Sequence, residues 1–215
     1  MYVNETKSQT RQRNIANILQ AAEKIFAISG YKGASLSVIA EEAGVPKSNI
    51  IYYFESKEGL YNRLMEDICS LWLQASNEMD DTDNPAGALT SYIHEKMDSA
   101  RERPYGSKVW ANEIIHGAPF IGPYIEGPLK EWTASRESIL RRWMSEGYLK
   151  ENNPKTILYM IWSTTQHYAD FSCQIEALNN DNSLSDEQWV EAKNTVTEII
   201  LRGIGMTGPH DESSE

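Results

Sequence analysis

The sequence predicts an all-α protein in two parts, a compact trio of short helices followed by a larger helical remainder. Three observations lead there. Apolar residues recur at spacings of three and four along nearly the whole of the 215 residues, with no Val/Ile/Thr alternation of the kind a strand needs. Gly30, Gly44 and Pro46 divide the start of the chain into three helices within about 50 residues. Charge is also divided: residues 1–60 carry seven Lys/Arg against six Asp/Glu, and the remainder 13 against 25, so nearly all of the net −11 lies after residue 60. An asymmetry of that kind indicates two domains with different partners.

The elements follow in order. Ile15, Ile18, Leu19, Ala22, Ile25 and Phe26 make one amphipathic face over 11–29, stopped by Gly30. Ser35 is an N-cap for a short helix ending at Gly44. Pro46 opens a third helix, 46–53, with Ile50, Ile51 and Phe54 facing inward. Ser56-Lys57-Glu58 starts a longer fourth helix carrying Met65, Ile68, Leu71 and Trp72. Further helices are expected over 85–101, 105–116, 129–146, 154–179 and 185–204, with an irregular Gly- and Pro-rich "PFIGPYIEGP" at 119–128. Residues 1–10 read as a flexible arm and 207–215 as a disordered polar tail. The domain boundaries expected are 11–58 and 59–206.

Several functional classes are disfavoured. No run approaches the roughly 18 uncharged apolar residues of a membrane span, and the N-terminus lacks the apolar core of a secretory signal, so a cytoplasmic protein with no membrane partner is expected. Cys69 and Cys173 have no metal-ligand spacing and are expected to be buried helix cysteines. His94, His116, His167 and His210 have none either, and no Gly-x-Ser-x-Gly elbow accompanies the nearby His167 and Asp170. No metal, cofactor or enzymatic activity is expected.

"GVPKSNIIYYFESKEGLY", at 44–61, carries the first functional signal. Three short helices whose second and third are joined by a Gly turn form a helix-turn-helix pattern, in which the third helix offers its N-terminal side chains to the major groove of double-stranded DNA. Lys47, Ser48 and Asn49 stand at that end, and Tyr52 and Tyr53 lie one turn on, with hydroxyls for phosphate and rings for sugar or thymine methyls. Ser35 and Lys57 are candidate phosphate contacts, and Lys7, Arg11 and Arg13 could follow the backbone or enter a minor groove. The alternative is that the motif only packs.

The remainder offers a second signal. From Thr156 to Ala169 no residue is charged, yet Ser163, Thr164, Thr165, Gln166 and His167 sit together. Trp162 and Gln166 are i,i+4 and share a face, a ring to stack on and an amide to pair with, suited to a planar polar effector. His167 is a further candidate. Alternatively these groups bond one another or a partner subunit, and each of the six tryptophans, taken singly, reads first as core. Ile157, Ile161 and Phe171 on one helix, with Val196 and Ile200 on the last, give apolar stripes for a homodimeric four-helix interface, unless they complete each subunit's own core.

"LSVIAEEAGVPKSNIIYYFESKEGLY" resembles the N-terminal signature of the TetR family of bacterial transcriptional regulators. Ser35, Ile39-Ala40, Ala43-Gly44-Val45, Lys47, Tyr52-Tyr53-Phe54 and Lys57-Glu58-Gly59-Leu60 carry the likeness, which spans 11–62. Pro46 and Ser48 depart from it, standing where Ser and Gly are frequent. The resemblance implies an N-terminal helix-turn-helix domain and a C-terminal effector-binding and dimerisation domain. It also implies a homodimer on a near-palindromic operator, with repression the expected mode. "WANEIIHGAP" and "MIWSTTQHYADF" further resemble the C-terminal domain of pyrimidine-utilisation regulators. There uracil or thymine is held by tryptophans and a Gln, which correspond to Trp72, Trp162 and Gln166.

Overall fold

The computed structural model describes residues 7–74, 79 and 82–206, with side chains except those of 7, 73 and 74. The start of the expected arm, the side chain of Lys7 and the tail 207–215 lie outside the described residues. Among those described, all regular structure is helical. The chain runs α1 (Lys7–Gly33), α2 (Leu36–Glu42), α3 (Lys47–Phe54), α4 (Lys57–Gln74), α5 (Pro85–Glu102) and α6 (Pro104–Ile115). A short α7 (Gly122–Tyr124) leads through a π-turn (Ile125–Leu129) into α8 (Lys130–Ser145). Then come α9 (Pro154–Asp170), α10 (Ser172–Leu178) and α11 (Asp186–Gly203).

Residues 7–10, expected in the arm, already belong to α1. Gly30, the expected stop, is the one non-helical residue inside that helix, with φ 66° and ψ 173°. "PFIGPYIEGP" is helical but irregular: Pro128 has no N–H to donate, and the π-turn surrounds it. The single helix expected over 154–179 is two, because Phe171 (φ −114°, ψ 27°) leaves helical geometry and closes α9. Asn84-Pro85 and Asn153-Pro154 start α5 and α9 alike. In each the Asn Oδ1 accepts from the N–H three residues on (Gly87, 3.0 Å; Thr156, 3.1 Å), while Pro holds a position that needs no donor. Ser185 and Gln188 close a reciprocal capping box on α11.

The chain forms two compact units. The first comprises residues up to Ser70 with Tyr105–Gly122, and the second Leu71–Pro104 with the chain from Pro123 onward. The expected boundary at 58/59 is therefore displaced, since most of α4, and α6 from far along the chain, join the first unit. Unit one buries Ile18, Ala22, Phe26, Ile39, Ile50, Leu60 and Leu64. Glu113 of α6 is buried there too: its carboxylate accepts from the Tyr61 hydroxyl at 2.8 Å and the Phe120 N–H at 2.6 Å.

In unit two, α5 packs on α9 and α11, and α8 on α9. Leu89, Ile93, Met97, Leu140, Trp143, Leu158 and Ile161 fill the centre. Ile157, Ile161, Val196 and Ile200 belong to this core and are buried in the single chain. They already have apolar partners within the subunit, so they offer nothing to a second copy. Of the five residues expected at a dimer interface, only Phe171 is exposed, at 52%. Cys69 is buried as expected, but Cys173 on the short α10 is exposed.

Candidate DNA-reading helix and effector site

α2 ends in a backbone turn that only a left-handed residue completes. Gly44 has φ 65°, and Val45 N–H reaches back to the Ala40 carbonyl at 3.0 Å. Ser35 caps the other end of α2, its Oγ accepting from Val38 N–H at 3.3 Å. Pro46 is extended and serves as N-cap of α3 rather than its first turn. Ile50 and Phe54, one turn apart, are buried and fix how α3 is rotated. Lys47, Ser48 and Tyr52 then face solvent, with Tyr52 77% exposed, while Asn49 and Tyr53 are half-buried. Ile51 corrects the expectation: it is 44% exposed and shares the outward side. Its neighbour Ile50 takes the inward position, and each residue turns the helix by about 100°. The signal was available in the Ile50–Phe54 spacing. Tyr53 is held by its surroundings, its ring 5.1 Å from that of Tyr52 and 5.9 Å from the Arg11 guanidinium.

Lys57 is engaged inside unit one. Its ammonium donates to the Ala34 carbonyl at 2.7 Å and lies 4.5 Å from the centre of the Tyr31 ring, tying the start of α4 to the end of α1. The α3–α4 junction is tight. Glu55 has φ 66° and ψ −44°, and Ser56 N–H donates to the Phe54 carbonyl at 2.7 Å across it. That is a γ-turn, a strained form for a residue with a side chain. Ser56 Oγ then accepts from Gly59 N–H at 2.9 Å.

In unit two, three helices each contribute a ring and a polar group one turn apart. α5 gives Tyr92 and Lys96, α8 gives Trp132 and Arg136, and α9 gives Trp162 and Gln166. Trp162 Nε1 donates to the Tyr92 hydroxyl at 2.8 Å. The Trp132 ring lies 6.2 Å from Tyr92 and 6.0 Å from Trp162, and Tyr159 adds a fourth ring 5.6 Å from Trp162. The Arg136 guanidinium sits 5.6 Å from the Trp132 ring, and the Lys96 ammonium 4.2 Å from that of Trp72. Burial raises the Tyr92 phenol and pulls the Lys96 ammonium down to about 8, with Asp170 opposing the latter. Trp72, Trp162 and Gln166 were read from the sequence, whereas Tyr92, Lys96, Trp132 and Arg136 were not, because no local pattern marks them.

His167 does not join this belt. It stands about 140° around α9 from Trp162, stacked on Phe171 at 4.9 Å. There it lines an open groove of about 820 Å³ with Ser163, Thr164, Ile175, Leu178 and Thr195. No described helix is long and apolar enough to cross a membrane. No group of three His, Cys, Asp or Glu that could hold a metal occurs among the described residues.

Comparison with known proteins also divides the chain in two, at 64/65, with residues 105–122 in the second match rather than the first. Residues 18–64 match the family described as bacterial regulatory proteins, tetR family, and 65–207 match the C-terminal region of YcdC-like proteins. The chain is 34% identical over 187 residues to the HTH-type transcriptional regulator RutR of Escherichia coli K12, covering 87% of this chain and 88% of that one. It is 31% identical over 111 residues to the repressor NicS of Pseudomonas putida, covering 51% and 52%. Among solved structures, PfmR of Thermus thermophilus superposes with a TM-score of 0.69 at 17% identity, covering 95% of this chain and 99% of that one. FadR of Bacillus subtilis, in complex with stearoyl-CoA, gives 0.64 at 21% identity, covering 88% and 98%. Both likenesses concern the fold.

Proposed function

The chain belongs to the TetR family and is a ligand-responsive DNA-binding transcriptional regulator, and we propose that it acts as a homodimeric repressor released by a small planar effector. The observation that carries the reading is the outward face of α3, where Lys47, Ser48, Ile51 and Tyr52 are all exposed on a helix whose rotation Ile50 and Phe54 fix. A polar and aromatic face of that size on so short a helix suits a major groove. Asn49 and Tyr53 flank it, and the exposed cap residue Ser35 and Arg11 suit phosphate. Lys57 would contact phosphate only by giving up the Ala34 carbonyl, so its part is to hold α4 against α1.

The effector in this reading occupies the ring belt of unit two. Trp72, Trp132 and Trp162 supply faces for a planar ring, and Gln166 supplies an amide able to donate and accept. A pyrimidine such as uracil or thymine matches that chemistry, and the 34% identity to RutR favours it. α4 begins at Lys57 in the DNA-binding unit and carries Trp72 about 22 Å further along the same helix. An effector preferring one setting of Trp72 thereby shifts the setting of α3, and only that difference in affinity between conformers can release the operator.

The test is an operator selected from random duplexes with the purified protein. Lys47→Ala and Tyr52→Ala should each weaken binding to it by roughly tenfold or more, and uracil or thymine should release the wild-type complex. Unchanged binding by both variants would remove α3 from the contact surface.

A further inference from the structure

We propose that Lys96 anchors an acidic group of the effector, so that the molecule occupying the ring belt is a planar ring bearing a negative charge rather than a neutral one. The inference rests on the effector site of the preceding reading and narrows its chemistry.

Lys96 is only 7% exposed, on the inward side of α5. Lysines that deep are ordinarily paired. Lys193, in the same unit, shows the paired arrangement, its ammonium bridging both oxygens of Asp98 at 2.8 and 2.9 Å. Lys96 differs. Its ammonium rests on the Trp72 ring at 4.2 Å, and no described residue accepts a hydrogen bond from it. A ring face attracts the charge but gives the three N–H groups no directed acceptor. Asp170 contributes only a longer-range attraction. A methionine would fill the same volume without the cost of desolvating a charge.

The surroundings say what is missing. Lys96 lies one turn from Tyr92, whose hydroxyl holds Trp162, so it borders the rings that would stack on a ligand. Arg136, also buried, places a second cation beside Trp132. Lys96 and Arg136 each set a cation against a ring of the belt, and Asp170 is a carboxylate whose charge acts on Lys96. A neutral imide would stack there but leave Lys96 as it is, whereas a ring carboxylate would accept its N–H groups in short charge-assisted bonds. At neutral pH the ammonium, lowered to about 8, is still mostly protonated and able to make them.

The experiment uses matched probes on the full chain: uracil, its two ring-carboxylated forms orotate and 5-carboxyuracil, and benzoate. Each is titrated by calorimetry against wild type, Lys96→Met and Lys96→Arg. At least one acid should bind wild type about tenfold or more tighter than uracil. Lys96→Met should erase that preference, and Lys96→Arg should restore part of it. The wild-type comparison stands even if a variant fails to fold. Uracil binding without any preference for an acid overturns the Lys96 proposal and leaves the pyrimidine reading intact. Binding of benzoate but no pyrimidine supports Lys96 and overturns the pyrimidine reading. Failure of every probe rejects the site and the proposal with it.

Discussion

The indole N–H of Trp162 donates to the hydroxyl of Tyr92 at 2.8 Å, joining α9 to α5 across the ring belt. The Tyr92 side chain is buried, so the hydroxyl has exchanged water for this contact. Tyr92→Phe should therefore lower stability by about 1 kcal/mol, the net worth of such a bond plus part of the cost of a stranded donor. In a chain of this size that is a fall of about 3 °C in Tm by calorimetry. An unchanged Tm would mean that the indole finds water instead.

Lys96 predicts a stability change with pH. Its ammonium titrates near 8 in the folded state against 10.5 unfolded. Below 8 both states hold the proton, and the group adds no pH dependence. Between 8 and 10.5 the unfolded state binds more protons, so stability rises with pH. From pH 8 to 9.5 the gain should be about 1.5 kcal/mol. Tyr61 and Tyr92, both raised by burial, act the other way, but only above about pH 10, where the unfolded phenols ionise first. Urea unfolding of the ligand-free protein at the two pH values checks this, with Lys96→Met as reference. If the variant gains as much stability as wild type, the buried ammonium is not the source.

Legibility followed range along the chain. The Gly44 turn, the Ser35 cap and the Asn-Pro helix starts are local signals, and each stands within a residue or so of where the sequence puts it. Helix rotation is less local. Ile50 and Ile51 are chemically identical neighbours, and only the packing of Phe54 with Ile50 decides which one is outward. The break at Phe171 has no Gly or Pro to announce it. Long-range placement was not legible at all. The stripe of Ile157, Ile161, Val196 and Ile200 reads equally as core or interface until α5 covers it. Lys96 and Arg136 look like any surface cation of an amphipathic helix. α6 joins the DNA-binding unit from some 50 residues away through Glu113, whose partners Tyr61 and Phe120 no spacing predicts.

Gly59 is required by a close approach. A Cβ there would lie 2.2 Å from the Phe54 carbonyl oxygen, a backbone atom already accepting from Ser56 N–H across the Glu55 turn. Neither partner can move without opening the junction that sets α3 against α4. Gly59→Ala should destabilise by about 1–3 kcal/mol, despite the better helix propensity of Ala. Thermal unfolding measures the loss, and operator affinity should fall with it. A variant as stable as wild type would show that the junction has room to shift.

The exposed side of α9 and α11 marks the proposed dimer face. Met160, Thr164, His167 and Phe171 follow one another along α9, and Ala192, Thr195 and Ile199 along α11, all without charge. Ile199 is 65% exposed, and Leu178 reaches 80% at the rim of the groove between these helices. Met160, Phe171, Leu178 and Ile199 group exposed apolar side chains here, beside a groove also lined by polar residues and Glu191; such a grouping marks an interaction site, and a twofold axis would pair each stripe with its own copy. Phe171→Glu and Ile199→Glu should shift the protein to monomer, with a dissociation constant raised by about 30-fold or more. Because both side chains are exposed, the monomer's own core is untouched and its stability should change by no more than about 0.5 kcal/mol. Light scattering after size exclusion reads the assembly, and far-ultraviolet circular dichroism reads the fold. Affinity for an operator holding both half-sites should collapse in the double variant, whereas a single half-site should bind as weakly as it does to wild type. A double variant that stays dimeric would move the interface to another face.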